Sequence, residues 1–402
     1  MWMLLQQPAL AEAIGIREVL SRLKDQSQPP IVVDTDCLLV PLWHRGDLPS
    51  DLDFMPLLMA AISVCYLCTN DTTLEMRSVQ YIDNDLCPGN LRSSFRCLES
   101  LRIQYLPNLE GFSRHEVGNE MFPSLSSLFV YDCPKLTLPK LGSIKSLTVC
   151  CVSQQLVESI SSLHGLTKLE MAFSKLTSLL QNMLHNLTSL QELSISGFKK
   201  IQELPTDFLI GLNALKFLEI ENCEELKCLP EGMFRDCSLR RIRIDNCENL
   251  RSLPECFQNL TMLNHLELSN CPAMEGFPSG PNQLISLQHL NIGGTYKASQ
   301  RLVVLPEGLQ HLCSLEYLEI SYILELASLP DWLGNLTTLK ELKIIECPDL
   351  ECIPMSMQRL TNLKKLSIER CPKLEQKCEK EVGEDWHKIS HIPHVDIRSD
   401  WW

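Results

Sequence analysis

A spaced pattern of leucines recurs along most of this chain and limits the folds open to it more than any other feature. The pattern is Leu-x-x-Leu-x-Leu or Leu-x-x-Leu-x-Ile, and its clear copies open at Leu190, Leu215, Leu239, Leu263, Leu287, Leu315, Leu339 and Leu363. Successive copies begin 25, 24, 24, 24, 28, 24 and 24 residues apart. A fixed period of this length indicates stacked repeats and not a single globular core.

The copy that opens at Leu239 shows the whole pattern. Its apolar residues recur in a set order and end in a proline: Leu239, Ile242, Ile244, Cys247, Leu250, Leu253 and Pro254. Alternation with a period of two predicts a short β-strand with one buried and one exposed side. Weaker copies at Leu98, Leu125 and Leu166 extend the array towards the N terminus.

One copy is too small to fold alone. Its six or so apolar side chains contribute about 9 to 18 kcal/mol on burial, whereas ordering a copy costs on the order of 24 to 48 kcal/mol in backbone entropy. Neighbouring copies must therefore complete each other's core, as in leucine-rich repeats. We predict an α/β repeat solenoid, a curved horseshoe with a parallel β-sheet on the concave face and irregular or short helical segments on the convex face.

The repeat divides the chain into three parts. Residues 91–378 are predicted to form the solenoid, and 379–402 a C-terminal cap or tail. Residues 1–90 form an N-terminal segment, either an end cap or degenerate repeats. The long copy between Leu287 and Leu315 predicts a bulging loop. Proline restricts its own backbone angles and keeps the preceding residue out of a helical conformation. We therefore expect the return segments to end at the Leu-Pro pairs at 204/205, 229/230, 253/254, 305/306 and 329/330.

Composition excludes some functions. With 36 Lys and Arg against 50 Asp and Glu, the net charge is -14, which disfavours binding to nucleic acid. Nineteen cysteines are present, but several recur at one repeat position and are predicted to be buried thiols: Cys133, Cys223, Cys247, Cys271, Cys347 and Cys371. The first ten residues are not typical of a secretory signal, and the longest apolar run is too short to cross a bilayer. We therefore expect a cytoplasmic protein without membrane contact.

No group of residues predicts catalysis or a cofactor. Histidines at 387, 391 and 394 lie near Cys378 and raise the question of a zinc site, but Pro393 interrupts their shared helical face. An end cap is the simpler interpretation of this segment. A nucleophile, a base and an orienting group do not recur at a coherent spacing, so we predict neither a metal site nor an enzyme.

The residues that alternate with the strand leucines are the candidate binding surface. On the predicted concave face, aromatic side chains lie beside arginine and acidic residues, as at many protein interfaces. The alternative is that they are ordinary surface residues without a partner. The candidates are Phe217, Glu219, Arg241, Arg243, His265, Glu267, His289, Tyr317, Glu319, Lys343 and Ile345.

The full repeat, Leu-x-x-Leu-x-Ile-x-x-Cys-x-x-Leu-x-x-Leu-Pro, resembles that of plant intracellular nucleotide-binding leucine-rich-repeat disease-resistance receptors, above all the coiled-coil class. The segment from Gly383 to Val395, with Trp386 and His387, is similar to the ending of many cereal members. The resemblance implies a plant defence function, in which the repeats recognise a pathogen effector or a guarded host protein. It also implies contact with the receptor's own nucleotide-binding domain.

The chain departs from that family in one respect. It has no Gly-x-x-x-x-Gly-Lys-Ser/Thr loop, so we expect a receptor region lacking its nucleotide-binding domain and binding no nucleotide. One alternative is a substrate-recognition subunit of a ubiquitin ligase, which predicts an N-terminal F-box and repeats without Leu-Pro. Another is a cell-surface ectodomain, which predicts a signal peptide and Asn at the repeat Cys.

Overall fold

The computed structural model describes residues 71–74, 81, 98–112, 122–235, 238–274, 284–295 and 304–398. The chain divides into two compact units, Met1–Ala172 and Phe173–Trp402. Most of the predicted N-terminal segment, and the extra residues of the long repeat at 296–303, lie outside the described residues. Within each unit the described strands are parallel and pair with their neighbours in chain order.

The first unit contains short strands in register. They are β1 (Asp71–Leu74), β2 (Ser100–Gln104), β3 (Ser127–Tyr131), β4 (Ser146–Cys150) and β5 (Lys168–Ala172). The weak copies at Leu98, Leu125 and Leu166 form β2, β3 and β5. β1 and β4 were not predicted, and β4 was missed because its copy opens at Ile144, too close to the copy before it to fit the period.

One α-helix follows β4 in the first unit. This helix, α1 (Gln154–Ile160), begins where the Ser153 hydroxyl accepts the backbone N–H of Leu156 at 3.3 Å. A serine at this position satisfies an N–H that the first helical turn leaves without a partner. The helix buries Leu156, Val157 and Ile160 against the core.

The second unit repeats the same strand more regularly. Its strands are β6 (Glu192–Ser196), β7 (Phe217–Glu221), β8 (Arg241–Asp245), β9 (His265–Ser269), β10 (His289–Gly293), β11 (Tyr317–Ser321), β12 (Glu341–Ile345), β13 (Lys365–Glu369) and β14 (His394–Arg398). Each strand from β6 to β13 starts two residues after the leucine that opens its copy. The leucine period therefore predicted where these strands begin.

The register of the strands aligns equivalent residues from one copy to the next. Leu218 pairs with Ile242, and Ile242 pairs with Leu266. All three side chains are fully buried, as the alternation predicts. Neighbouring copies complete one core, which confirms the parallel repeat solenoid.

Short 3₁₀ helices form many of the return segments. Four of them are Glu255–Asn259, Glu307–His311, Asp331–Asn335 and Met355–Arg359. An extended proline comes directly before each one: Pro254, Pro306, Pro330 and Pro354. The prediction that proline ends the return segment was wrong, because proline begins its helical turn. Proline lacks a backbone N–H. At the start of a helix an N–H would have no acceptor within the helix, so proline sacrifices no hydrogen bond there.

The repeat cysteines line the core behind the strands. The six predicted positions are all buried and hold unbridged thiols. The Cys247 thiol lies 3.6 Å from the carbonyl oxygen of Asp245 and 3.8 Å from that of Ile220, within reach of weak S–H hydrogen bonds. These side chains pack as small apolar groups with a minor polar role.

The C-terminal residues continue the repeat. After α2 (Pro372–Lys377) and α3 (Trp386–Ile389), β14 pairs in parallel with β13, where Val395 lies opposite Leu366. The sequence did not predict this strand, because no Leu-x-x-Leu-x-Leu copy precedes it. The segment therefore adds a strand to the sheet.

Candidate protein-interaction face

The side chains at the first, third and fifth positions of β7 to β12 form one surface, called here the outer face. Leucine and isoleucine occupy the second and fourth positions of these strands and are buried, which directs the other positions away from the core. All eleven predicted binding residues lie on the outer face. Ile345 is at a fifth position, and the others are at first and third positions.

A row of ring side chains crosses the strands at their first positions. The ring centroids of His265 and His289 are 5.5 Å apart, and those of His289 and Tyr317 are 5.7 Å apart. The Lys343 ammonium lies 5.6 Å from the Tyr317 ring centroid, within range of a cation–π contact. The structure thus joins three predicted residues from three strands into one row, called here the ring ladder (His265, His289 and Tyr317), with Lys343 of a fourth strand beside it.

Arg243 lies among carboxylates at the third positions. Its guanidinium nitrogens are 3.4 Å from Glu219 Oε1, 3.4 Å from Asp245 Oδ2 and 3.3 Å from Glu267 Oε1. Burial lowers the pKa of Arg243, but the pKa is raised overall by four nearby carboxylates, those of Glu267, Asp245, Glu219 and Glu221. The guanidinium is therefore a fixed positive charge held by the acidic residues around it.

Glu267 lies in a partly buried environment that contains Arg243 and several carboxylates. Burial raises the pKa of Glu267, and only Arg243 lowers it. The carboxylates of Asp245, Glu319 and Glu219 raise it further. The net direction is upward, and burial is its largest cause.

Hydrogen bonds hold two of these carboxylates in place. The Tyr317 hydroxyl donates to Glu319 Oε2 at 2.5 Å, and the Asn291 amide donates to Glu319 Oε1 at 3.2 Å. Burial and the neighbouring Glu319 raise the pKa of Tyr317, so the hydroxyl keeps its proton. The Ser194 hydroxyl donates to Glu219 Oε2 at 2.7 Å. Both carboxylates are therefore held in defined positions.

The remaining predicted residues lie at the two ends of this region. Phe217 is half-buried on β7, and Arg241 is exposed on β8. Lys343 and Ile345 are half-buried on β12, at the Tyr317 end of the ring ladder. The outer face therefore combines apolar, acidic and basic groups on adjacent strands.

Sequence reasoning missed a second row that follows the strands. Asn222, Asn246 and Asn270 adopt left-handed backbone conformations with φ of 55°, 52° and 52°. The Asn246 amide donates to Asn222 Oδ1 at 2.6 Å, and the Asn270 amide donates to Asp245 Oδ1 at 2.8 Å. The signal was available, because Asn directly precedes the repeat Cys in these three copies and Asn tolerates this conformation.

The first unit has an aromatic group of its own, which was also missed. The rings of Tyr105 and Tyr131 meet edge to face at 5.1 Å, and the Arg102 guanidinium lies 4.8 Å from the centre of the Phe129 ring. Tyr105 is half exposed. These residues follow or alternate with the buried positions of β2 and β3. The weak periodicity of the early copies hid that alignment.

Two further features concern the part of the chain that the structure describes. No helix there is both long enough and apolar enough to span a membrane. No group of three or more His, Cys, Asp or Glu side chains there is arranged to hold a metal ion. In the C-terminal segment, His387 Nδ1 is hydrogen-bonded to the Glu384 carbonyl oxygen at 2.8 Å, and Cys378 is fully buried.

Comparison with solved structures supports the fold. The Toll–Spatzle complex, described as a molecular hub in Drosophila development and innate immunity, contains a chain that matches with a TM-score of 0.57. The match covers 77% of this chain and 41% of that one, at 18% sequence identity. At this identity the likeness concerns the fold alone.

Comparison of sequences identifies the repeat type. The family model described as "Leucine-rich repeat region" matches residues 239–402. RGA1 of Solanum bulbocastanum, named for disease resistance, is 36% identical over 129 residues, which is 32% of this chain and 13% of RGA1. The disease resistance RPP13-like protein 1 of Arabidopsis thaliana is 31% identical over 146 residues, which is 34% of this chain and 14% of that protein. The chain therefore carries a leucine-rich-repeat region and is homologous, over about a third of its length, to plant disease-resistance proteins.

Proposed function

We propose that this chain is a plant defence protein whose solenoid recognises another protein, a pathogen effector or a guarded host protein, through the outer face. The observation that carries the proposal is the joined arrangement of the ring ladder and the Arg243 carboxylate cluster on adjacent strands. Homology to disease-resistance proteins supports the defence setting.

The composition of the outer face favours a protein partner. Aromatic residues and arginine are enriched where protein interfaces gain most of their binding energy. Phe217, Tyr317 and Ile345 are half-buried, so they retain apolar surface that a partner could cover. The carboxylates and the net charge of -14 repel phosphate backbones and anionic lipid headgroups.

The setting that we propose is the repeat region of a cytoplasmic nucleotide-binding receptor of the coiled-coil, cereal-like class. In that setting the repeats also contact the receptor's own nucleotide-binding domain, and this region itself binds no nucleotide and catalyses no reaction. Unbridged thiols in the core are compatible with a reducing compartment. We assign residues 91–378 to the recognition solenoid, 379–402 to its C-terminal cap, and 1–90 to a preceding cap or degenerate repeats.

Site-specific photo-crosslinking tests the proposal. Benzoylphenylalanine replaces Ile345 on the outer face in one variant and Met355 in the matched control. Met355 is 54% exposed and lies on a return-segment 3₁₀ helix. Both variants are expressed in plant leaves with and without pathogen challenge, and adducts are identified by mass spectrometry.

We expect discrete protein adducts from position 345 that depend on challenge or on a defined host protein. Position 355 should give none of these adducts. The same set of adducts from both positions, or no adducts from position 345 in any condition, would contradict recognition through the outer face.

A further inference from the structure

We propose that the outer face over β7 to β11 binds a basic segment of the partner polypeptide, with lysine or arginine side chains entering between its carboxylates. This inference rests on the proposed function and adds the chemistry of the partner. Two independent features carry it: an excess of positioned carboxylates at the third and fifth positions, and a parallel row of rings at the first positions.

The charges on this region do not balance. The outward positions of β7 to β11 carry two arginines, Arg241 and Arg243, against the carboxylates of Glu219, Glu221, Asp245, Glu267 and Glu319. Arg243 pairs with three of these carboxylates. Among the residues that the structure describes, neither Glu221 nor Glu319 is in an ion pair. A second cation would therefore find acceptors without displacing Arg243.

The carboxylates nearest Arg243 are partly removed from water. Their side chains are 19% exposed at Glu219, 14% at Asp245 and 26% at Glu267. Ion pairs gain strength as the surrounding dielectric falls. Hydrogen bonds from Ser194, Tyr317 and Asn291 already hold Glu219 and Glu319, so little side-chain entropy remains to be lost on binding.

Arg243 shows which ligand chemistry these carboxylates accept. Its guanidinium is held between strands by carboxylates on β7, β8 and β9 at 3.3 to 3.4 Å. A lysine or arginine from a partner would repeat this contact at Glu221 and Glu319, which are not in ion pairs within the described part of the chain. Its charge is complementary to theirs, which favours association and orients the partner.

The ring ladder lies along one side of the carboxylates. It offers an apolar surface to the aliphatic part of a bound lysine or arginine side chain. Lysine and arginine have long aliphatic stems that pack on apolar surface while the charged end reaches a polar group. A ring of the ladder already accepts a cation, because the Lys343 ammonium lies 5.6 Å from the centre of the Tyr317 ring. Burial, with help from Arg241 and His289, lowers the pKa of His265, so that ring is neutral at neutral pH and does not repel a cation.

Fluorescence anisotropy with a short labelled peptide rich in Lys and Arg tests the inference on the full chain. A peptide with Gln in place of every Lys and Arg is the control ligand. We expect Glu221→Gln and Glu319→Gln each to weaken binding of the basic peptide about twofold to fivefold, the size typical of partly exposed ion pairs. Arg243→Gln should strengthen binding, because it frees three carboxylates for the peptide.

Matched variants separate this site from general charge attraction. Glu325→Gln removes the same charge from an exposed residue in the turn after β11, and it should leave the affinity unchanged. Glu221→Asp keeps the charge and should retain binding. Thermal unfolding of each variant checks that it is folded. Equal weakening by Glu325→Gln, or no strengthening by Arg243→Gln in a folded protein, would overturn the inference.

The crosslinking experiment distinguishes the inference from the function on which it rests. If both hold, the basic peptide competes with formation of the adducts at position 345. If the adducts persist in excess peptide and in Glu319→Gln, the face binds a protein of other chemistry, so the inference fails and the proposed function stands. If position 345 gives no adducts, the proposed function fails.

Discussion

Asp385 and Lys388 form a buried ion pair, with Asp385 Oδ1 2.6 Å from Lys388 Nζ, that ties the C-terminal segment to the last return segment before it. Asp385 Oδ2 accepts the backbone N–H of Ile353 at 2.8 Å, and Lys388 Nζ donates to the Ile353 carbonyl at 2.7 Å. One side-chain pair thus satisfies both backbone groups of Ile353.

Removing one member of this pair should destabilise the C-terminal repeats. Asp385→Ala leaves the Lys388 ammonium largely buried without its carboxylate partner, which costs about 3 to 5 kcal/mol in comparable cases. Hydrogen–deuterium exchange should show faster exchange in β13 and β14. The control is Asp349→Ala, which removes an exposed ion pair with Lys373 and should change stability by less than about 1 kcal/mol. Unchanged exchange in Asp385→Ala would contradict the capping role.

Gly334 should tolerate no side chain. A Cβ atom built at this position would lie 2.4 Å from the backbone carbonyl oxygen of Ser356, in the 3₁₀ helix of the next repeat. Because that contact is with backbone, the two turns would have to separate. We expect Gly334→Ala to lower the free energy of unfolding by about 1 to 3 kcal/mol, measured by urea denaturation.

Gly111→Ala is the control for this prediction. A Cβ there would meet its nearest neighbour at 3.7 Å, an ordinary contact distance. Its effect should be small, and an equal loss of stability in both variants would rule out close packing of the turns as the cause.

The buried thiols should make the protein unstable in alkali. Burial raises the pKa of Cys133 to about 11 and that of Cys378 to about 12, from an ordinary value near 9. Above pH 9 the unfolded chain loses these protons while the folded chain keeps them, so stability falls as pH rises. Each such thiol should remove about 1.4 kcal/mol per pH unit between pH 9 and 11.

Denaturation midpoints measured from pH 8 to 11 check this dependence. Cys378→Ala should make the alkaline decline less steep, whereas replacement of the exposed Cys313 by alanine should leave it as it was. The same steepness in Cys378→Ala as in the unmodified chain would show that other groups cause the decline.

His265 should stay neutral below the pH at which a free histidine is protonated. Burial, the Arg241 guanidinium and His289 all lower its pKa. Because the unfolded chain takes up a proton near the ordinary value of about 6.5 and the folded ring does so only at lower pH, His265 reduces stability as the pH falls through that range.

Arg241→Gln should raise the pKa of His265, measured from the imidazole signals in an NMR titration. Arg240→Gln is the matched control, since the adjacent arginine is exposed and does not contribute to the lowering. Equal shifts in the two variants would mean that Arg241 has no specific effect on the ring.

The repeat period and the alternation within each copy were sufficient to predict the strands from β6 to β13 and the outward position of every candidate residue. Both signals are local, because each leucine meets the same environment in every copy. Because the prediction relied on these local signals, it missed β4 and β14. The copy that forms β4 begins off the period, and β14 lacks the leucine pattern. The role of Pro254 and its equivalents also needed the structure, because proline is compatible with either end of a turn.

The contacts between copies depend on tertiary structure alone. Arg243 and Glu267 are 24 residues apart in the chain, and only the register of β8 on β9 brings them within 3.3 Å. The same holds for the ring ladder and for Asp385, whose partner Ile353 precedes it by 32 residues. By itself the sequence determined which side chains are buried and which face outward, because that choice follows from hydrophobicity at each position. Which outward side chains become neighbours was decided by strand pairing, because hydrogen bonds between backbones set the alignment of one copy on the next.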